Sequence, residues 1–296
     1  MEGRVFLKNS IGIVNWIEID KALEDLLIHE NALVIQPLDH GFEAEVMKIS
    51  STKESFVLKV WNKSSKPDIH FQYRLLQVLF ERGVPVSKPL GWGVNPNGDM
   101  VLLTTFDGVS IRKVNEKNMK ELAKILSSIH QILVKEIRGI HLPKYDFIDY
   151  FFPRVREHQD IYHALIVLVQ NAQIKKEHII HGDFHLRNIL EKNDRYTVID
   201  WTNGQLGDQR YDFAWSLILQ KIYVSDRDAD VFRSTYLLDH AIQQEELEIF
   251  EAIACLRWLL LNRSGGVPKG LNPIKNVRSL IANNLFLKLV KFDELV

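Results

Sequence analysis

The segment Ile179-Ile180-His181-Gly182-Asp183-Phe184-His185-Leu186-Arg187-Asn188-Ile189-Leu190 decides how the rest of the chain is read. An apolar pair enters a polar loop and an apolar pair leaves it, as in a loop joining two short strands. Asp183 and Asn188 both lie on the loop. Further on, the apolar strand Tyr196-Thr197-Val198-Ile199 ends on Asp200. Two carboxylates and one amide oxygen at adjacent strand ends suit a hard cation, because Mg²⁺ prefers oxygen ligands and takes only a few from protein. Asn188 and Asp200 are the candidate metal ligands, and Asp183 remains available as a base.

Phosphoryl transfer uses these parts. It needs a metal on the nucleotide phosphates and a carboxylate that orients the attacking hydroxyl and accepts its proton. The first half of the chain supplies a complement. Phe56-Val57-Leu58-Lys59-Val60-Trp61 sets a lysine inside an apolar strand, where an ammonium is costly unless it meets an anion. Lys59 is therefore the candidate for the α- and β-phosphates. The turn Asp39-His40-Gly41-Phe42, just upstream, is placed to fold over them. The spacing His-x-Asp-x-x-x-x-Asn equals that of a protein-kinase catalytic loop, with Asp200 where a kinase metal-binding Asp follows.

His181-Gly182-Asp183-Phe184-His185-Leu186-Arg187-Asn188, then Val198-Ile199-Asp200-Trp201, then Gly207-Asp208-x-x-x-Asp212-Phe213-Ala214 resembles the aminoglycoside phosphotransferase and choline kinase-like family. Gly83-Val84-Pro85-Val86 and Ser127-Ser128-Ile129-His130 extend the likeness, which runs from about Val34 to Leu219. The resemblance implies a protein-kinase-like fold, ATP or GTP as donor, Mg²⁺, and a small hydroxyl acceptor of the aminoglycoside or amino alcohol kind. It implies catalytic roles for Asp183 and His185, and donor contacts at Lys59, Gly41, Gln72, Thr104 and Phe106. At Gln72 the chain departs from the family. The helix after the lysine strand usually carries a glutamate that pairs with the lysine, and Gln72 offers only a neutral hydrogen bond in its place.

The surrounding pattern predicts an α+β, two-lobed architecture: a small antiparallel-sheet lobe over 1–105 that binds nucleotide, and a mainly helical lobe over 106–296. Strands are expected over Ala32 to Leu38, Glu45 to Ser50 and Phe56 to Trp61, with a hairpin over Gly91 to Phe106 turning at Asn95-Pro96-Asn97-Gly98. Helices are expected over Asp20 to His29, Pro67 to Arg82, Asn118 to Val134, Tyr150 to Asn171, and from Tyr211 onward.

Thirty-seven basic residues against 38 acidic ones leave a formal charge of −1. No basic field is present to hold nucleic acid or an anionic membrane. The one cysteine, Cys255, makes neither an internal disulfide nor a thiolate metal site, which points to a reducing cytoplasmic compartment. Met1 to Asp20 lacks a signal-peptide pattern, and runs such as Leu165 to Val169 are far too short to span a bilayer.

Plainer readings stand beside these. A strand lysine is often solvent-facing, and an Asp is often a turn residue. His181 fits a prop for the loop. Asp212 fits a helix cap or an anchor for the catalytic loop. Glu245, Glu248 and Glu251 read as a solvated helix face rather than a subsite for a cation, and Cys255 and Trp258 as core. Gly91-x-Gly93 lacks the third glycine and helix of a dinucleotide fingerprint. The rival functions are a nucleotide-binding pseudokinase, a protein-directed kinase, and a metal-dependent hydrolase using His181, Asp183 and His185. The second is disfavoured by His-Gly-Asp in place of His-Arg-Asp. The third leaves Lys59, Asn188 and Asp200 without a role.

Overall fold

Alternation is strictest in Ser55–Trp61, where Phe56, Leu58 and Val60 are buried and Val57 and Lys59 point to the other face. The computed structural model describes residues 11–38, 44–65, 67–111, 113–137 and 139–293. In chain order its elements are β1 (Asn15–Ile19), α1 (Lys21–Ile28), β2 (Val34–Pro37), β3 (Glu45–Ser50), β4 (Ser55–Trp61), α2 (Ile69–Glu81), β5 (Pro89–Val94), β6 (Met100–Thr105) and β7 (Val109–Ser110). There follow α3 (Glu116–His130), α4 (Phe147–Phe151), α5 (Gln159–Ala172), β8 (His178–Ile180), β9 (Ile189–Lys192), β10 (Arg195–Val198) and β11 (Gln205–Gly207). The chain ends in α6 (Gln209–Tyr223), α7 (Asp226–Tyr236), α8 (Gln244–Arg263) and α9 (Pro273–Asn283). Two compact units result: Met1–Val109 with Leu190–Thr202, and Ser110–Ile189 with Asn203–Val296.

The first unit is built on an antiparallel sheet in the order β1-β5-β6-β4-β3-β2. One face gathers Met47, Ile49, Phe56, Leu58, Val60, Val101 and Leu103 with Leu23 and Leu26 of α1 into a core. Each such side chain contributes about 1.5–3 kcal/mol when fully buried. Asp20 and Asp68 cap α1 and α2, accepting from the Leu23 and Phe71 N–H groups at 3.1 and 2.9 Å. The predicted hairpin turn forms: the Asn95 side chain accepts from the N–H groups of Asn97 and Asp99, both at 2.9 Å.

β1 has no strong signal in the sequence, yet it forms the sheet edge beside β5. The glycines at 91 and 93 let it. A Cβ on Gly93 would lie 2.4 Å from the Asn15 carbonyl oxygen. A tight β9–β10 hairpin also belongs to this unit. Its two turn residues, Asn193 and Asp194, have φ of 53° and 59°, the backbone a two-residue hairpin of this hand requires. The Val198 N–H then donates to the Pro85 carbonyl at 2.7 Å, which fixes where Asp200 emerges.

In the second unit α6 packs on α7 and α8, α3 on α7, and α5 on α8. Cys255 and Trp258 are core, each 1% exposed. The helix expected over Tyr150 to Asn171 is broken. Pro153 lacks an N–H and disfavours helical backbone at the residue before it. Arg154 turns left-handed at φ 60°, and α5 starts only at Gln159. Among the described residues no helix is long and apolar enough to cross a membrane.

Candidate active site

The loop after β8 is fixed by α6. Asp212, in the first turn of α6, accepts the His181 N–H on Oδ2 and the Gly182 N–H on Oδ1, both at 2.8 Å. Its side chain is fully buried, and His130 Nε2 lies 3.1 Å from Oδ2. Burial would push this carboxyl up. The hydrogen bond and charge of His130, with His181 and the backbone, outweigh burial and hold it down. Of the two roles the sequence leaves open for Asp212, anchoring the loop is the one observed. Asp208 is the cap, accepting from the Arg210 N–H at 3.0 Å.

Gly182 turns the loop at φ +77°, and a Cβ there would lie 2.8 Å from Asn203 Cβ and 2.9 Å from the Asn203 carbonyl oxygen. Glycine is required on both counts. The turn brings Asp183 round so that its Oδ1 accepts from Trp215 Nε1 at 2.9 Å and its Oδ2 lies 3.3 Å from His185 Nε2. The carboxylate stays 29% exposed. Desolvation pushes the Asp183 carboxyl up. His185, by hydrogen bond and by charge, then the Arg257 guanidinium and the Trp215 N–H, overcome it and hold the group below the usual carboxylate range.

Each neighbour in the loop has a distinct task. His181 is fully buried, and its Nδ1 accepts the Asp183 N–H at 3.2 Å, so it props the loop. His185 Nδ1 accepts from the Arg187 N–H at 3.2 Å, which leaves Nε2 for Asp183. Asn188 donates from Nδ2 to the Asp183 carbonyl at 3.0 Å. That turns its Oδ1, which takes no bond from any described residue and is not sealed off, into an available hard ligand. Asp183, His185 and Asn188 are thus brought together. Among the described residues no three His, Cys, Asp or Glu side chains converge on a metal position, and the inward prop His181 is unsuited to the hydrolase reading.

The remaining candidates lie in the first unit. Lys59 pairs in register with Leu102, and Val57 with Thr104, so Lys59 and Thr104 share one face of the sheet. The Lys59 ammonium has no carboxylate oxygen within 4.0 Å among the described residues and sits 5.9 Å from the Trp61 ring centroid. The hydrogen bond expected between Lys59 and Gln72 does not form. Gln72 is buried, and its Nε2 has no partner among the described residues; a neutral amide gives a lysine no charge to lean toward. Thr104 is buried beside the strand end, and the Phe106 N–H donates to the Ser55 carbonyl at 3.0 Å. Asp200 has φ +66°, is exposed, and accepts from the Thr202 hydroxyl at 2.6 Å on Oδ1. Gly41 lies outside the described residues.

Sequence reasoning missed Trp215 and Arg257. Arg257 is 8% exposed; its Nη1 donates to the Gly182 carbonyl at 2.9 Å and to the Tyr211 hydroxyl at 3.1 Å. Its guanidinium lies 4.1 Å from the Trp215 ring centroid and 4.8 Å from that of Phe151. Burial pushes the Tyr211 phenol up to about 12, against the lowering effect of Arg257. The signal was available: an arginine inside the apolar run Ile253 to Leu261 poses the same question as Lys59 in its strand. Of the three α8 acids read as a solvated face, Glu245 is exposed, Glu248 is half-buried and accepts from Gln244 at 3.0 Å, and Glu251 takes Lys221 at 3.0 Å.

Comparison with known proteins bears on the family and the fold. The sequence profile of the phosphotransferase enzyme family matches residues 34–250. Among curated protein sequences none matches the chain. A thermostable mutant of aminoglycoside phosphotransferase APH(4)-Ia, solved in a ternary complex with AMP-PNP and hygromycin B, superposes with a TM-score of 0.63 at 16% identity over 88% of this chain and 95% of that one. Amicoumacin kinase hAmiN, solved with AMP-PNP, Ca²⁺ and Ami, gives 0.64 at 15% identity over 90% and 92%. Choline kinase LicA from Streptococcus pneumoniae gives 0.60 at 16% identity over 88% and 96%. With its antiparallel-sheet unit, its helical unit and the anchored His-Gly-Asp loop, this chain has a protein-kinase-like fold and belongs to the phosphotransferase enzyme family.

Proposed function

We propose that this protein is a cytoplasmic, Mg²⁺-dependent small-molecule kinase that moves the γ-phosphoryl group of ATP or GTP to a hydroxyl. The observation that carries this reading is Asp183: a partly exposed carboxylate, kept ionised and aimed by Trp215 and His185, on a loop pinned by Asp212. Asp183 orients the acceptor hydroxyl and takes its proton as the acceptor oxygen bonds to the γ-phosphorus. The bond from that phosphorus to the bridging oxygen breaks, and the nucleoside diphosphate leaves with the electron pair. His185 holds Asp183 in orientation. Lys59 takes the α- and β-phosphates, on the sheet face that also carries Thr104 and ends near Phe106; Gly41 completes the proposed donor set.

The donor atoms fit a hard cation. Asn188 presents a carbonyl oxygen freed by the bond its amide nitrogen makes, and Asp200 presents an exposed carboxylate. When bound, Mg²⁺ neutralises charge on the phosphate oxygens. The neighbours solved with AMP-PNP support a nucleoside triphosphate as donor. Acceptors with amino groups, of the aminoglycoside or amino alcohol kind, are the first class to assay. The test is ATP turnover against an acceptor library, with and without EDTA. Mg-ATP binding without turnover of any acceptor would favour the pseudokinase reading.

A further inference from the structure

Arg257 carries more charge than its surroundings use. The side chain is 8% exposed, and among the described residues no carboxylate oxygen lies within 4.0 Å of it. A guanidinium has five N–H donors in a fixed fork. Arg257 spends Nη1 on the Gly182 carbonyl and the Tyr211 hydroxyl, at 2.9 and 3.1 Å. Nε and Nη2 have no acceptor from any described residue, yet neither is among the buried polar atoms sealed without a partner. That edge of the fork therefore faces open space. A buried cation without a carboxylate is costly, and the Trp215 and Phe151 rings beside it, with centroids 4.1 and 4.8 Å away, attract it without neutralising it.

The position relates this edge to the chemistry. Arg257 grips the carbonyl of Gly182, the residue before Asp183, and stacks on the Trp215 ring whose N–H holds Asp183 Oδ1. Of the acids on α8, Glu246 pairs with Arg210 and Glu251 with Lys221, Glu248 accepts from the neutral Gln244 amide, and Glu245 is exposed in the first turn. Asp212 is sealed at 0% exposure.

We propose that Arg257 is a specificity-determining residue for the acceptor: its free Nε/Nη2 edge takes a carboxylate of the substrate while Asp183 takes the substrate's hydroxyl. The preferred acceptor is then a small hydroxy acid, with the hydroxyl a few bonds from the carboxylate. Parallel N–H···O bonds from an arginine to a carboxylate fix orientation as well as charge. The inference rests on the kinase reading above, with Asp183 on the acceptor side.

The experiment compares acceptors that differ only in charge: glycerate against glyceramide, and 3-hydroxybutyrate against 3-hydroxybutyramide. Mg-ATP turnover is measured for the unsubstituted protein, Arg257→Lys and Arg257→Met. The expected result is a kcat/KM preference for the carboxylate of at least tenfold. That preference should collapse toward unity in Arg257→Met and be partly kept in Arg257→Lys, with the change in KM. A charge-assisted hydrogen bond of about 1.5–3 kcal/mol corresponds to roughly 10- to 150-fold. If Arg257→Met lowers kcat/KM for both members of a pair alike, the arginine only supports the loop, and the proposal falls. It falls also if only amine-bearing acceptors are phosphorylated, or if no hydroxy acid is turned over and calorimetry finds none bound to the AMP-PNP·Mg²⁺ complex; the kinase reading survives both. Failure of the protein to bind Mg-ATP would overturn both readings, and a melting curve of Arg257→Lys separates loss of binding from loss of fold.

Discussion

Asp183 is a carboxylate whose two oxygens have different keepers, Trp215 on one and His185 on the other. Asp183→Asn should lower kcat by about 10²- to 10⁴-fold, the usual cost of losing a general base. Mg-nucleotide affinity should stay within a few-fold if, as proposed, the residue serves the acceptor; near-normal kcat would remove Asp183 from the mechanism. Trp215→Phe keeps the ring and deletes one hydrogen bond to the carboxylate. Because that bond favours the charged form, its loss should move the acid limb of the kcat/KM profile to higher pH, the direction opposite to the hold described for Asp183. An unmoved acid limb would mean that His185 and Arg257 suffice. The sequence marks Asp183 unmistakably. It is silent on Trp215, because a tryptophan in an apolar helix looks like core until the loop is seen beneath it.

At the scale of elements, the His-Gly-Asp loop has no shape apart from the helices that grip it. Asp212 of α6 takes two of its N–H groups and Arg257 of α8 takes one of its carbonyls. Gly182→Ala adds a Cβ within 2.8 Å of Asn203 at a positive φ, so activity should collapse by more than tenfold with only a modest drop in melting temperature. Unchanged activity would show that the turn relaxes freely. A second clasp joins α5 to α8: Arg263 donates to Asp160 at 2.8 and 2.6 Å, with both side chains nearly buried. Asp160→Ala strands that guanidinium and should cost about 3–5 kcal/mol in denaturant unfolding, whereas Asp160→Leu with Arg263→Met should recover most of it. The helix periods were legible in the sequence. The break before α5 was legible only in Pro153, whose effect depends on whether the flanking turns pack separately. The edge strand β1 was not legible at all, since its place depends on what Gly91 and Gly93 leave room for.

For the whole molecule, pH stability follows from groups whose ionisation folding alters. Burial first, and then the neighbouring His130, depress the His240 pKa below 6.5. The unfolded chain takes up that proton before the folded one, so this contribution is present above pH ~6.5 and is lost as pH falls toward the depressed value. Asp160, Asp183 and Asp212 are depressed as well; their contribution is present above pH ~4 and is lost below it. Melting temperature should be flat from pH 7 to 8, decline gently below about 6.5 and fall steeply below about 4, with His240→Gln removing the gentle step alone. A profile with no difference between His240→Gln and the parent would refute the assignment. What the sequence determined by itself was the kind and order of the strongly periodic elements, and the residue types of a phosphotransferase loop. Hydrophobic period and motif spacing are local properties, and the chain carries them whether or not it is folded. What only the tertiary structure decided was which polar groups meet: the grip of Asp212 on two loop amides, the unmade bond between Lys59 and Gln72, and the open edge of Arg257. Hydrogen bonds form between atoms within about 3 Å, and residues tens of positions apart come that close only when the core has packed.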